Sequence, residues 1–208
     1  MCSKWESAWF VKPLVEKGIR VISVDYDLCP DVKLDQIVVQ LKKAFKWISE
    51  YVKKNSIKSL SMSGHSAGAH LLATSLTKDF MDSIDKDVKI FNYFISGVYD
   101  LSELWRLKAA NENNILSLDE NNHRQLSPQF FDFSHLKNRH MKNFVFAGEF
   151  ESEKFKEQSK NFVEIALKDL EGVTYGVTKD RDHFDIAEKL LESEYEITKL
   201  IVGNIVKA

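Results

Sequence analysis

The chain has 208 residues, 44% of them hydrophobic and 29% charged, with a formal net charge of −2. That length suits one domain with a sizeable core, and the balanced charge excludes the basic surface that recruits nucleic acid or an anionic membrane. Cys2 and Cys29 lie outside any Cys-x-x-Cys pair, which argues against a disulfide framework or a zinc site. Residues 1–7 carry no apolar signal core and no run of about 18 apolar residues exists to span a bilayer, so a cytoplasmic location is expected. In chain order, residues 7–16 read as a helix with Trp9, Phe10, Leu14 and Val15 on one side, stopped by Gly18. Residues 20–25 are a β-branched strand. Residues 34–54 place apolar side chains at helical spacing. A strand over 58–63 and a helix over 69–76 follow, then a third strand over 89–96 closed by Gly97. Residues 100–141 are polar, irregular and too long for a simple connection, which suggests a cap over a site. A strand at 143–147, a helix at 153–170, a strand at 173–177 and a final helix over 185–206 complete the chain. This alternation predicts one α/β domain over 1–208: a parallel sheet of about five strands with helices on both faces.

The most specific feature is Gly64-His65-Ser66-Ala67-Gly68. Placed between a strand and a helix, Gly-x-Ser-x-Gly is the nucleophile elbow, a sharp turn that projects a serine hydroxyl above the sheet. The glycines at 64 and 68 are expected to be small so that strand and helix can approach. The Ala67 amide, at the start of the helix, is expected to face the oxygen that becomes negative during acyl transfer.

An activated serine needs a histidine to take its proton and a carboxylate to orient that histidine, in the chain order acid then histidine. His183 is the only histidine after position 140 and follows the last strand. The acid is open on this reading: Glu149, Glu151 and Glu153 crowd the loop after the fourth strand, and negative charge there also suits the start of the next helix. Among the other histidines, His65 is expected to pack locally, His70 lies on the elbow helix, and His123, His135 and His140 fall in the cap region. None forms a metal-ligand spacing.

The chain resembles the kynurenine formamidases (arylformamidases) of the α/β-hydrolase superfamily over nearly its whole length. The resemblance is carried by Val24-Asp25-Tyr26-Asp27-Leu28-Cys29-Pro30, by the elbow with Ala69-His70-Leu71, by Ser96-Gly97-Val98-Tyr99-Asp100-Leu101, by Leu126-Ser127-Pro128 and by Asp182-His183-Phe184-Asp185. It implies hydrolysis of N-formylkynurenine, or a similar aryl formamide or ester, to the amine and formate, with no cofactor and no metal. It implies a small-molecule substrate, no nucleic acid or membrane partner, and leaves a homodimer open. The run from Glu151 to Ser159 resembles the family's Asp-Ser-Pro-Glu-Phe-x-x-Gln-Ser, which places Glu151 on the catalytic acid with Glu149 as the fallback. The resemblance also implies that this sequence starts just past the family's His-Gly-Gly-x-Trp oxyanion segment and lacks its first three strands. One of those would sit between residues 20–25 and the elbow strand, so these two are not expected to pair, and turnover by residues 1–208 is expected to be weak. The competing expectations are another carboxylesterase on the same fold, or an inactive hydrolase-like protein.

Overall fold

In the computed structural model, which describes residues 8–108 and 111–207, four strands form one sheet. β1 (Ser59–His65), β2 (Lys89–Ile95), β3 (Met141–Gly148) and β4 (Val173–Thr178) lie side by side in that order, all parallel. After Lys89 every residue of β2 is buried. That is why β2 is mostly apolar, a central parallel strand being covered on both faces, and its one buried polar side chain, Asn92, donates to Asn143 Oδ1 at 2.9 Å.

Alternate residues of the strands serve two cores. Ile90, Phe94 and Val145 face one side, with α2 (Leu34–Lys54), α3 (Ala67–Ser75), α4 (Lys78–Ser83) and the helical stretch begun by α5 (Glu153–Asn161). Phe91, Tyr93, Ile95 and Phe144 face the other, with α1 (Val11–Val15), α6 (Asp185–Glu188) and α7 (Glu196–Val206). The paired rings of Tyr93 and Phe144 stack at 5.1 Å, so register and aromatic packing specify each other. α2 is the clearest amphipathic element: Ile37, Val38, Leu41, Phe45, Ile48 and Val52 are buried along one stripe.

Several elements depart from expectation. Residues 20–25 form no strand, so the sheet has four strands and not about five. The expected failure to join the elbow strand does appear. Val21, Ile22 and Val24 have strand propensity, but propensity without a pairing partner does not make a strand. The segment still packs with a period of two, Ile19 and Val21 against one core and Val24 and Tyr26 against the other. Asp27 ties it to α2, its N–H donating to Gln40 Oε1 at 2.9 Å and its carboxylate accepting from Gln40 Nε2 at 2.8 Å. The expected helix over 153–170 is α5 followed by a π-helical turn, Phe162–Ala166. The expected final helix over 185–206 is broken between α6 and α7, and the first helix is a 3-10 turn, Ala8–Phe10, leading into α1, with residue 7 outside the described residues. Residues 100–141 contain a series of short 3-10 turns. No helix among the described residues is long and apolar enough to cross a membrane.

Candidate active site

Ser66 sits where β1 turns into α3, with φ 54° and ψ −118°. A non-glycine residue holds such a backbone only when its surroundings impose it. Here the Ser66 N–H is tied to Ile95 O at 2.9 Å, fixing the turn to the end of β2. Gly64 is required by close approach: a Cβ there would lie 2.2 Å from Gly68 O and 2.7 Å from Ala69 N. The expectation for Gly68 was wrong. A Cβ at 68 meets nothing within 4 Å, so the space there is open. Ala67 is the first residue of α3, where amide groups have no intrahelical acceptor and are free to serve a ligand.

The structure brings Ser66, His183 and Glu151 together. His183 Nε2 lies 3.0 Å from Ser66 Oγ, and His183 Nδ1 lies 2.5 Å from Glu151 Oε1. With the imidazole neutral, Nδ1–H donates to the carboxylate and Nε2 accepts from the hydroxyl, the tautomer a general base requires. The Glu151 side chain is fully buried, whereas that of His183 is 22% exposed. Burial opposes ionisation of Glu151. The hydrogen bonds from His183, the Gly148 N–H at 2.8 Å and the Ser96 hydroxyl at 3.0 Å outweigh it and hold the carboxyl below its ordinary range.

Two loops must meet to bring acid and histidine into register, and Gly148 allows it. A Cβ at 148 would lie 2.5 Å from Arg181 O. Glu149 N–H donates to Thr178 O at 2.9 Å and Phe150 N–H to Arg181 O at 2.8 Å, lacing the loop after β3 to the loop after β4. The fallback acid is engaged elsewhere, its carboxylate accepting from Asp180 N–H at 2.9 Å. Glu153 pairs with Lys156 at the surface, and the Asp182 carboxylate accepts from Phe184 and Asp185 N–H groups.

Sequence reasoning missed several supporting groups. His65 does more than pack locally: its Nε2–H donates to His183 O at 2.6 Å and its ring lies 4.8 Å from that of His183. Burial, then the neighbouring His183, pushes its pKa down, so it stays neutral. The Phe155 ring lies 4.4 Å from the His183 imidazole. Gln158 Oε1 accepts from Tyr99 and Asp100 N–H groups at 2.6 and 2.8 Å, pinning the chain after β2 to α5. The Gln158–Ser159 pair in the acid-loop motif was the only sequence signal for it. His70 and His135 donate to Leu126 O and Leu76 O, which are structural ties. A surface cavity of about 500 Å³ lies at the amino ends of β2 and β3, away from Ser66. The Ser66 cluster lies at the carboxyl ends of the strands, where open parallel sheets hold their ligands. No group of three or more potential metal ligands occurs among the described residues.

The BD-FAE family model matches residues 4–164. The chain belongs to this family, an α/β-hydrolase family. Among curated relatives, it is 34% identical to a kynurenine formamidase of Drosophila melanogaster, over 94% of this chain and 66% of that protein. It is 32% identical to a kynurenine formamidase of Salmo salar, over 96% of this chain and 67% of that protein. It thus spans about two thirds of the length of these relatives. An esterase from Pyrobaculum calidifontis shares the fold with a TM-score of 0.69 at 18% identity, over 95% of this chain and 68% of the other.

Proposed function

We propose that this chain carries the catalytic centre of a serine hydrolase acting on aryl formamides, N-formylkynurenine first among them. The observation that carries the reading is the continuous path from Ser66 Oγ through His183 to Glu151, at 3.0 and 2.5 Å. The substrate class comes from the two kynurenine formamidase relatives. Ser66 Oγ attacks the formyl carbon as His183 Nε2 takes its proton, and Glu151 steadies the imidazolium. The tetrahedral oxyanion receives the Ala67 N–H at the start of α3. Collapse breaks the C–N bond, His183 returns the proton to the leaving aryl amine, and Ser66 holds the formyl group as an ester. A water molecule, deprotonated by His183, attacks that ester and formate leaves. The non-polar rings of Phe155 and of Phe184, 4.4 and 5.3 Å from the His183 ring, suit an aromatic leaving group.

The test is covalent labelling of Ser66 by a fluorophosphonate together with formate release from N-formylkynurenine, each compared with an aryl acetate ester. Labelling and formate release that both vanish in Ser66→Ala are expected. Hydrolysis surviving in that variant overturns the serine mechanism, and labelling with ester turnover but no formate release overturns the formamide assignment.

A further inference from the structure

Glu151 reaches His183 through one oxygen, and two groups hold the other. The Gly148 N–H, 2.8 Å from Oε2, comes from the last residue of β3, three positions before the acid. The Ser96 hydroxyl, 3.0 Å from Oε2, comes from a different strand, one residue past the end of β2. Ser96 has no exposure to solvent. It stands at the junction of three elements. Its N–H donates to Phe146 O of β3 at 2.7 Å, the carbonyl of the preceding Ile95 holds the Ser66 N–H, and its side chain holds the carboxylate. Its φ is 51°, a left-handed backbone that a non-glycine residue keeps only under constraint.

We propose that Ser96 is a positioning residue for the acid, its hydroxyl clamping the Glu151 oxygen turned away from His183. The inference rests on the serine-hydrolase reading of Ser66 and His183. A glutamate makes such a clamp necessary. Its side chain has one more rotatable bond than an aspartate's, so one hydrogen bond to the histidine leaves the carboxylate free to swing. Holding both oxygens removes that freedom. The hydroxyl also draws charge from the carboxylate. Without it the proton affinity of the Glu151–His183 pair rises, and the base is lost to protonation at a higher pH than before. The other titratable groups facing this pair are His65 from β1, Tyr99 after β2, Tyr175 from β4 and Asp182 beside the histidine. A change at Ser96 leaves all four in place, so a displaced pH profile reports the clamp.

The experiment follows the rate of Ser66 labelling by a fluorophosphonate against pH in the full chain, unmodified and as Ser96→Ala and Ser96→Gly. Glycine accepts the left-handed backbone without strain, so the second variant separates the hydroxyl from the fold. Both variants are expected to label about tenfold more slowly at pH 7, with the acidic limb displaced upward by roughly half to one pH unit. Profiles that superimpose on the unmodified chain, or a uniform slowing with the limb unmoved, overturn the proposal while leaving the serine-hydrolase reading intact. No labelling of the unmodified chain overturns both. If circular dichroism shows that neither variant folds, NMR of the unmodified chain decides: a slowly exchanging Ser96 hydroxyl proton supports the clamp, and its absence overturns it.

Discussion

Substituting alanine at the two elbow glycines should have opposite effects. At Gly64 a Cβ would lie 2.2 Å from Gly68 O and 2.4 Å from Gly68 C, and ordinary contact begins near 3.4 Å. The first turn of α3 must therefore retreat by about 1.2 Å, and these atoms are backbone, which cannot rotate away. The overlap should cost about 3 kcal/mol or more, lowering the thermal midpoint by roughly 6–12 °C for a chain of this size. The same retreat moves Ser66 Oγ from its place 3.0 Å from His183 Nε2, and a displacement near 1 Å should slow labelling about 100-fold. At Gly68 a Cβ meets nothing within 4 Å. Gly68→Ala should keep labelling unchanged and stabilise α3 by about 0.5–1 kcal/mol, the helical advantage of alanine. Thermal melts and labelling rates of the two variants, measured together, check this. Equal damage from both, or a Gly64→Ala variant that melts and labels normally, would refute the close-approach argument.

Glu151→Gln should slow labelling by about 10³–10⁴, since a carboxamide favours the wrong imidazole tautomer. Glu149→Gln, which disturbs only a bond to Asp180 N–H, should stay within about threefold; the reverse ranking would move the acid to Glu149. Gln158→Ala should destabilise the fold by about 2 kcal/mol in denaturant titration, because two main-chain donors after β2 lose their acceptor; no change would mean water replaces it without cost. Burial pushes the pKa of His70 down, and burial followed by the neighbouring His183 ring does the same at His65. The folded chain thus binds fewer protons there than the unfolded chain, so stability is full above the ordinary value of 6.5 and falls as pH drops below it. Glu151, whose carboxyl is held low despite its burial, adds a further loss below 4.5. The thermal midpoint should decline from pH 7.5 to 5.5 and again below 4.5; a flat or rising midpoint over the first interval would contradict neutral burial of these rings.

Much of this molecule was legible one residue at a time. The apolar spacing of residues 34–54 matches α2 to the residue, because a helix stripe is written at a period the chain itself carries. Residues 89–96 read as a strand and form β2, Lys89–Ile95, whose place between β1 and β3 only the structure shows. Gly-x-Ser-x-Gly put Ser66 on a strand-to-helix turn, where it sits with a positive φ. Propensity failed where pairing decides. Residues 20–25 have the composition of a strand and form none, since hydrogen bonds to a neighbour make a strand and side chains only permit it.

By itself, then, the sequence determined the α/β alternation, the turn that carries Ser66, and the order in which acid and histidine follow it. Residue pattern left the acid open among Glu149, Glu151 and Glu153, and the family resemblance pointed to Glu151; the tertiary structure decided how Glu151 meets His183, that Gly64 is crowded while Gly68 is not, and that Ser96 and Gly148 hold the far oxygen of the acid. The physical reason is separation along the chain. His183 is 117 residues from Ser66 and 32 from Glu151, and Ser96 is 55 from Glu151. Local pattern encodes period and turn chemistry, whereas these distances of 2.5–3.0 Å exist only once four parallel strands align their carboxyl ends on one edge.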